Sequence, residues 1–109
     1  MTVGALQEKL GWKAFHTAEA DRQVTGGYAG DLLSWVMGRA GQDCAWLTIM
    51  SNQNVAAVAL MADVACVVLT EGVEPDADLL RRAVEKHVNL LGTGEDTYTA
   101  ACRLHDCLR

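Results

Sequence analysis

Three short polar segments of the sequence carry the groups that could bind or convert a small molecule. Each segment follows an apolar run and combines hydroxyl, amide or carboxylate side chains with glycine. Backbone N–H groups in such turns, where a helix begins, favour a carboxylate or a phosphate. Turn formation and helix capping use the same residue types, so each segment taken singly also has a purely structural explanation. The segments supply nine candidate ligand-binding residues: Ser51, Asn52, Asn54, Thr70, Glu71, Gly72, Thr93, Gly94 and Thr97.

A catalytic use of these segments would need an acid–base partner for a hydroxyl nucleophile. Glu71 and Asp96 are the carboxylates near enough to serve. The sequence contains no GxxxxGK[ST] phosphate loop and no GxSxG elbow, so we predict no catalytic residue and no kinase activity. A small hydrolase or transferase is the alternative, and it would use the side chains of Ser51, Asn54, Thr70 and Thr97.

The cysteines show no CxxC pair and no spacing typical of a zinc site; they are Cys44, Cys66, Cys102 and Cys107. Cys102, His105 and Asp106 share one face of a helix, but no fourth ligand accompanies them, so we expect no metal and no cofactor. The alternative for this helix is a buried stripe made of Tyr98, Ala101, Cys102 and His105. The four thiols also leave open a function as a thiol-based redox partner.

The elements that would position the polar segments form a regular series in the second half of the chain. Strands are predicted over residues 45–50, 64–70 and 88–91, each followed by a polar loop and a helix, over 55–61, 76–87 and 95–108. Asp76 is the predicted cap of the middle helix, whose inward positions are Leu79, Leu80, Ala83, Val84 and His87. Repeated strand–helix units imply right-handed crossovers and parallel strands. We therefore expect an α/β fold with three α/β/α layers and a mainly parallel central sheet.

The first half of the chain is less regular. Thr2 is predicted to cap a helix that ends at Gly11, and residues 12–16 to form an edge strand. Residues 18–30 are predicted to be a glycine-rich loop with one short strand near 23–25.

Asp31 is the predicted cap or first-turn residue of the next helix. On this helix, Trp35 is the best candidate for an exposed aromatic side chain at a subunit contact. The alternative is that Trp35 packs under the glycine-rich loop.

The amino-acid composition limits the classes of molecule that this protein is expected to bind. Nine basic and fourteen acidic side chains give a net charge of -5, which argues against nucleic acid and anionic membranes. No apolar run reaches the length of a membrane span. The 109 residues allow one domain, and without a signal peptide we expect the cysteines to stay reduced in a cytoplasm. The pairs Asp21–Arg22 and Glu95–Asp96 are interpreted as solvated surface charges.

Two motifs resemble the DRTGG domain family. Leu69-Thr70-Glu71-Gly72 with Pro75 resembles the Leu-Thr-Gly-Gly and trailing proline of that family, and Asp96-Thr97-Tyr98-Thr99-Ala100 resembles the start of its last helix. The resemblance covers residues 46–104, and residues 30–37 resemble short stand-alone members, some encoded near iron hydrogenases. It implies a fold like the N-terminal domain of HPr kinase. In HPr kinase, phosphotransacetylase and some CBS-containing pyrophosphatases, this domain accompanies the catalytic part.

The departures from the family pattern bear on the ligand. The family's Gly-Asp-Arg falls on Met50-Ser51-Asn52, so the arginine is absent, and its Thr-Gly-Gly is Thr70-Glu71-Gly72. Losing a cation and adding a carboxylate disfavours a phosphorylated ligand and favours a polar or cationic ligand, or none. The resemblance thus implies a non-catalytic regulatory domain, acting as a homodimer. It would sense a small-molecule effector or dock onto a metabolic or hydrogenase-linked enzyme.

Overall fold

The computed structural model describes all 109 residues as five helices and five strands around one sheet, which confirms the α/β class. None of the helices is long and apolar enough to cross a bilayer. In chain order the elements are α1 (Val3–Leu10), β1 (Lys13–His16), β2 (Gly26–Ala29), α2 (Leu33–Arg39), β3 (Cys44–Thr48), α3 (Asn54–Ala62), β4 (Cys66–Leu69), α4 (Ala77–Lys86), β5 (Leu90–Gly92) and α5 (Thr97–Leu108).

The strand order in the sheet is β1-β5-β4-β3-β2. Strands β2 to β5 are parallel, and β1 pairs antiparallel with β5 at one edge. From β2 to β5 each strand is laid beside the previous one in the same direction, so right-handed crossovers bring α2, α3 and α4 to one face of the sheet. The opposite face is covered by α1 and α5. The result is the expected three-layer arrangement with a mainly parallel sheet.

The core is divided by the sheet into two clusters. Val3, Leu6 and Leu104 pack with one side of β3 and β4, while Val36 and Leu79 pack with the other side. Both central strands are buried along their whole length, as their continuous apolar sequences predict.

Helix α1 also follows the prediction. The Thr2 hydroxyl accepts a hydrogen bond from the Ala5 N–H at 3.1 Å, and Gly11 ends the helix in the left-handed region at φ 68°.

Arg22 is a structural clamp, and its interpretation as a solvated surface charge was wrong. Its guanidinium donates to the carboxylates of Asp43, at 2.9 Å, and Asp63, at 2.8 Å. These two aspartates precede β3 and β4, and both adopt left-handed conformations. Hydrogen bonding from Arg22 is the main reason that the pKa of Asp63 lies below its ordinary value. The clamp ties the loop before β2 to the amino ends of the central strands.

The glycine-rich loop contains a strand, but not where it was predicted. Strand β2 begins at Gly26, whereas Gln23 makes only an isolated bridge with Thr2. A Cβ at Gly27 would lie 2.7 Å from Cδ2 of Leu104, so glycine allows α5 to pack closely on this edge strand.

The prediction for Asp31 was also wrong. Its carboxylate accepts hydrogen bonds from the Thr48 hydroxyl at 2.8 Å and the Ile49 N–H at 2.9 Å, so it caps the end of β3. Helix α2 begins without a side-chain cap.

The buried faces of α4 and α5 are narrower than predicted. In α4, Leu79 and Ala83 are buried, while Leu80, Val84 and His87 are exposed. In α5, Ala100 and Leu104 are buried, while Tyr98 is 80 % exposed and Cys102 and His105 lie at the surface. The rotation of α5 is set by Leu104, which must sit over Gly27 of β2. The stripe of Tyr98, Cys102 and His105 is therefore an outer stripe.

Asn89 directly precedes β5, and its side chain joins the amino ends of β4 and β5 to the loop after β1. Its Oδ1 accepts from the N–H groups of Ala18, at 2.7 Å, and Glu19, at 2.8 Å. Its Nδ2 donates to the carbonyls of Glu19 and Ala65, both at 3.0 Å. The side chain is buried, and all four hydrogen bonds are to backbone groups.

Replacing Asn89 with alanine is expected to lower the free energy of unfolding by about 3 kcal/mol, because several backbone groups lose their partner together. Urea denaturation measures this change. The exposed amide of Gln53 provides the matched control, since its replacement by alanine should alter stability by less than about 0.5 kcal/mol. Equal effects of the two substitutions would show that the Asn89 hydrogen bonds contribute little.

The four cysteines are free and fall into two pairs by exposure. Burial raises the pKa of the Cys44 thiol to about 11 and that of the Cys66 thiol to about 12. Cys102 is exposed and Cys107 is half-buried.

A thiol titration of the native protein near pH 8 is expected to show two reactive groups, Cys102 and Cys107, with Cys44 and Cys66 reacting only after unfolding. Replacing both accessible cysteines with serine should remove the reaction of the native protein. Fast modification of that double variant would contradict the burial of the sheet cysteines.

Candidate ligand site at the carboxyl ends of the strands

The chain changes face between two neighbouring strands, and this creates the crevice at which ligands of α/β proteins usually bind. The connection after β4 leads to α4 on one face of the sheet, whereas the connection after β5 leads to α5 on the other. Loops that diverge in this way open a space beyond the carboxyl ends of the two strands. The residues there are 70–72 and 93–97, which include six of the nine predicted ligand-binding residues.

The turn over residues 70–72 is tied to the loop after β5 by backbone hydrogen bonds. Glu71 and Gly72 adopt consecutive left-handed conformations, at φ 62° and 74°. Their N–H groups donate to the carbonyls of Glu95, at 2.8 Å, and Thr93, at 3.0 Å. A left-handed conformation at a residue other than glycine costs about 1 kcal/mol or more, so Glu71 occupies a strained position.

The Glu71 side chain turns back onto the start of α5. Its Oε2 accepts from the Thr97 N–H at 2.9 Å and lies 3.3 Å from the Thr97 hydroxyl. That hydroxyl is 2.6 Å from the hydroxyl of buried Thr70. A carboxylate is favoured at this end of the helix because the helix dipole is positive there. Glu71 thus occupies the N–H group to which an anionic ligand would otherwise bind.

Asp96 satisfies a second N–H group in the first turn of α5. Its carboxylate accepts from the Thr99 N–H at 2.8 Å and from the Thr99 hydroxyl at 2.9 Å. These hydrogen bonds hold the pKa of Asp96 below its ordinary value. Asp96 is therefore the cap of the helix, and it is also exposed, as its interpretation as a solvated charge implies. The spacing of Asp96 and Thr99 is that of an N-cap and the third residue of a helix.

Glu95 was wrongly assigned to the solvated surface. Its carboxylate accepts from the indole N–H of Trp12 at 2.8 Å, from the Thr93 hydroxyl at 3.2 Å and from the guanidinium of Arg103. Burial acts to raise the pKa of Glu95, but the hydrogen bonds from Trp12 and Arg103 outweigh it and lower the pKa. Glu95 fixes the loop after β5 against α5 and the residue that precedes β1.

An open cleft of about 180 Å³ lies beside this network. Three of the predicted residues line it, together with charged and aromatic side chains of neighbouring elements. The Nζ atom of Lys13 lies 4.8 Å from the centre of the Phe15 ring and 3.9 Å from a carboxylate oxygen of Glu74. The cleft therefore offers a cation, an anion, a ring and glycine backbone to a ligand. Its full lining is Lys13, Phe15, Gly72, Val73, Glu74, Gly92, Thr93 and Gly94.

The residues predicted after β3 lie at the same edge of the sheet but outside this cleft. Asp76 is the N-cap residue of α4, as predicted, but its side chain makes no capping hydrogen bond. It accepts instead from the Ser51 hydroxyl at 3.2 Å. The Asn52 side chain accepts from the Asn54 N–H at 2.9 Å, which shapes the turn into α3. Asn54 also lines a groove of about 230 Å³ between α3 and α4, with Arg82 on the other side.

A second cleft, of about 330 Å³, was missed by sequence reasoning. It lies between β2 and α5 and is lined by Gly27, Tyr28, Leu104, His105 and other residues of these two elements. The signal was the glycine-rich segment from 26 to 30, whose composition is typical of both a loop and an edge strand beneath a closely packed helix. No group of three or more His, Cys, Asp or Glu side chains is arranged to hold a metal ion.

Replacing Glu95 with glutamine is expected to lower the free energy of unfolding by about 1 to 2 kcal/mol at pH 7, because hydrogen bonds to a charged acceptor become neutral ones. The pKa of Glu95 is lower in the folded than in the unfolded chain, so this stabilisation is complete above the unfolded pKa and is lost as the pH falls through the folded pKa.

Urea denaturation at pH 7 and near pH 3 measures the difference between the Glu95→Gln variant and wild type. The difference should shrink in acid. Glu8→Gln, at an exposed residue of α1, serves as the control. A difference that is the same at both pH values would contradict the role given to the charge.

Comparisons with known proteins support the arrangement described above. The family model of the DRTGG domain matches residues 33–107. Among solved structures, this fold is similar to a crystal structure of the CBS and DRTGG domains of the regulatory region of Clostridium perfringens pyrophosphatase, complexed with the activator diadenosine tetraphosphate, with a TM-score of 0.73 and 12 % sequence identity. The alignment covers 94 % of this chain and 45 % of that one. No curated protein matches the sequence. Because the family match spans more than half of the chain, this protein belongs to the DRTGG domain family.

Proposed function

We propose that this protein is a non-catalytic regulatory domain that senses a small molecule at the crevice between β4 and β5. The observation that carries the proposal is the coincidence of two features. The family turn, residues 70–72, lies where the chain changes face, and an open cleft of about 180 Å³ adjoins it. Membership of the family, whose domain in the pyrophosphatase neighbour belongs to a regulatory region, supports the same role.

The charges of the site favour a polar or cationic ligand. Glu71 occupies the first N–H group of α5, and Glu74 lines the cleft. The cation of the cleft, Lys13, has Glu74 as its neighbour at 3.9 Å. The effector of the pyrophosphatase neighbour binds to a region of which this chain matches less than half, so its identity gives no ligand for this chain. A phosphate group bound here without a cation would be repelled by two carboxylates, those of Glu71 and Glu74.

The nine candidate residues take different roles in this proposal. Gly72, Thr93 and Gly94 contact the ligand, since they line the cleft. A second group positions the turn and the start of α5, and it consists of Thr70, Glu71 and Thr97. The third group forms the adjoining wall after β3, and it consists of Ser51, Asn52 and Asn54.

We further propose that the protein acts as a homodimer in the cytoplasm and transmits its ligand state to a partner enzyme. The exposed position of Trp35, at 52 %, supports a subunit contact on α2, and four free cysteines fit a reducing compartment.

The enzyme alternative requires Glu71 or Asp96 as an acid–base group. Both carboxylates bind N–H groups of α5, which favours a structural use of each.

A thermal-shift screen against nucleotides, amino acids, polyamines and other common metabolites tests the ligand proposal. A ligand present at a hundredfold excess over its Kd should stabilise the protein by about 2.7 kcal/mol. Gly94→Val should abolish that shift, because the new side chain enters the cleft and its Cβ meets no atom within 4 Å. Gly41→Val is the control, since this loop glycine is equally unobstructed and lies outside the cleft.

Two results would contradict the proposed site. A stabilising compound whose shift survives Gly94→Val binds elsewhere on the protein. A complete absence of stabilising compounds, with the protein folded throughout, would remove the sensing role and leave only docking to a partner.

A further inference from the structure

Helix α3 has a composition that its exposure does not explain. Its sequence, Asn-Val-Ala-Ala-Val-Ala-Leu-Met-Ala, contains no charged residue, although it lies on the surface between α2 and α4. Val55, Ala56 and Ala59 face the sheet. On its outer side Leu60 is 51 % exposed and Met61 is 70 % exposed. Helices that are apolar on all sides are normally buried on all sides.

The neighbouring helix extends this apolar surface. Leu32 and Trp35, at the start of α2, are 56 % and 52 % exposed. The guanidinium of Arg39 stacks on the Trp35 ring at 3.8 Å, which holds the indole against the helix surface. We call the outer surface of these two helices the α2–α3 face, and it consists of Leu32, Trp35, Ala57, Leu60 and Met61. On the opposite layer, α1 and α5, the one large apolar side chain that is exposed is Tyr98.

We propose that the α2–α3 face binds the same face of a second copy of this chain across a two-fold axis. This inference rests on the proposed homodimer and assigns its interface. An uncharged apolar centre is complementary to itself, as a two-fold interface requires. The small side chain of Ala57 allows two copies of α3 to approach closely.

The charges around the α2–α3 face suit a second copy of this chain better than a partner protein whose surface charges are all of one sign. Arg82 and Lys86 on α4 line a groove with residues of α3, and Arg39 on α2 lies over the Trp35 ring. Asp78 and Glu85 of α4 form ion pairs with arginines of the same helix, including a 2.8 Å contact between Asp78 and Arg81. Both signs are therefore present at the rim. The net charge of -5 comes from other parts of the molecule, so copies meeting here avoid most of their mutual repulsion.

The contact extends beyond the five residues that define the face. Each partner contributes about 800 Å² to an interface of standard size, and the whole molecule measures 31 × 25 × 25 Å, so a stable dimer would bury most of this helical layer. Trp and Arg are also the residue types that most often dominate the binding energy of interfaces, and Trp35 and Arg39 already form a stacked pair.

The mass in solution tests the interface, measured by light scattering during size-exclusion chromatography. Wild type should show twice the chain mass of 11.7 kDa. Met61→Arg and Trp35→Glu should each weaken the dimer at least 30-fold, about 2 kcal/mol, because a charge would be buried against an apolar surface. Tyr98→Arg is the matched control, since it places a charge on the opposite layer at a residue that is 80 % exposed. Circular dichroism and thermal unfolding verify that each variant is folded.

The outcomes separate the interface from the rest of the proposed function. A dimer that persists in both face variants, or that dissociates with Tyr98→Arg instead, would overturn the α2–α3 face while the homodimer stands. A wild-type monomer would overturn both the homodimer and its interface, whereas ligand sensing is judged independently by the thermal-shift screen. A monomer that binds a partner enzyme through Met61 would assign the face to docking and would likewise overturn the proposal.

Discussion

The handedness of the strand connections determines both surfaces to which a function is proposed here. Strands β2 to β5 are laid down in one direction, so their right-handed crossovers place α2, α3 and α4 together on one face. Helix α5 then passes to the other face, and the change occurs between the neighbouring strands β4 and β5. The crevice at the carboxyl ends of these strands and the continuous helical layer that includes α3 both follow from this order. The first is the proposed ligand site, and the second is the proposed interface.

The turn at residues 70–72 determines which groups this crevice presents. Two consecutive left-handed residues are needed there, which explains a pair of glycines in the family pattern. In this chain Glu71 adopts the first of these conformations, and its hydrogen bonds with Thr97 offset the strain. The same carboxylate fills the anion-binding end of α5. Glu71 therefore supports the turn structurally, and under the proposed function the same side chain would select the ligand.

Sequence reasoning succeeded where local signals decide the structure. The apolar runs of β3 and β4, the Thr2 cap and the left-handed Gly11 each lie within a few residues of the feature that they predict. The polar segments after the strands were located because parallel strands bring their carboxyl ends together. Failures occurred where distant residues decide. Trp12 and Glu95 are 83 positions apart, Arg22 and Asp63 are 41 apart, and β2 depends on Leu104 packing over Gly27. Nothing local marks such partners.

The most direct test of ligand sensing at the β4/β5 crevice is a map of backbone amide chemical shifts by NMR during titration with a stabilising compound. The largest changes are expected at Gly72, Thr93 and Gly94, with smaller ones at Glu71 and Thr97, which share hydrogen bonds with that loop. Changes concentrated instead at residues 25–29 and at Ala101, Leu104 and His105, which line the cleft between β2 and α5, would contradict the account and move the site to the edge of the sheet.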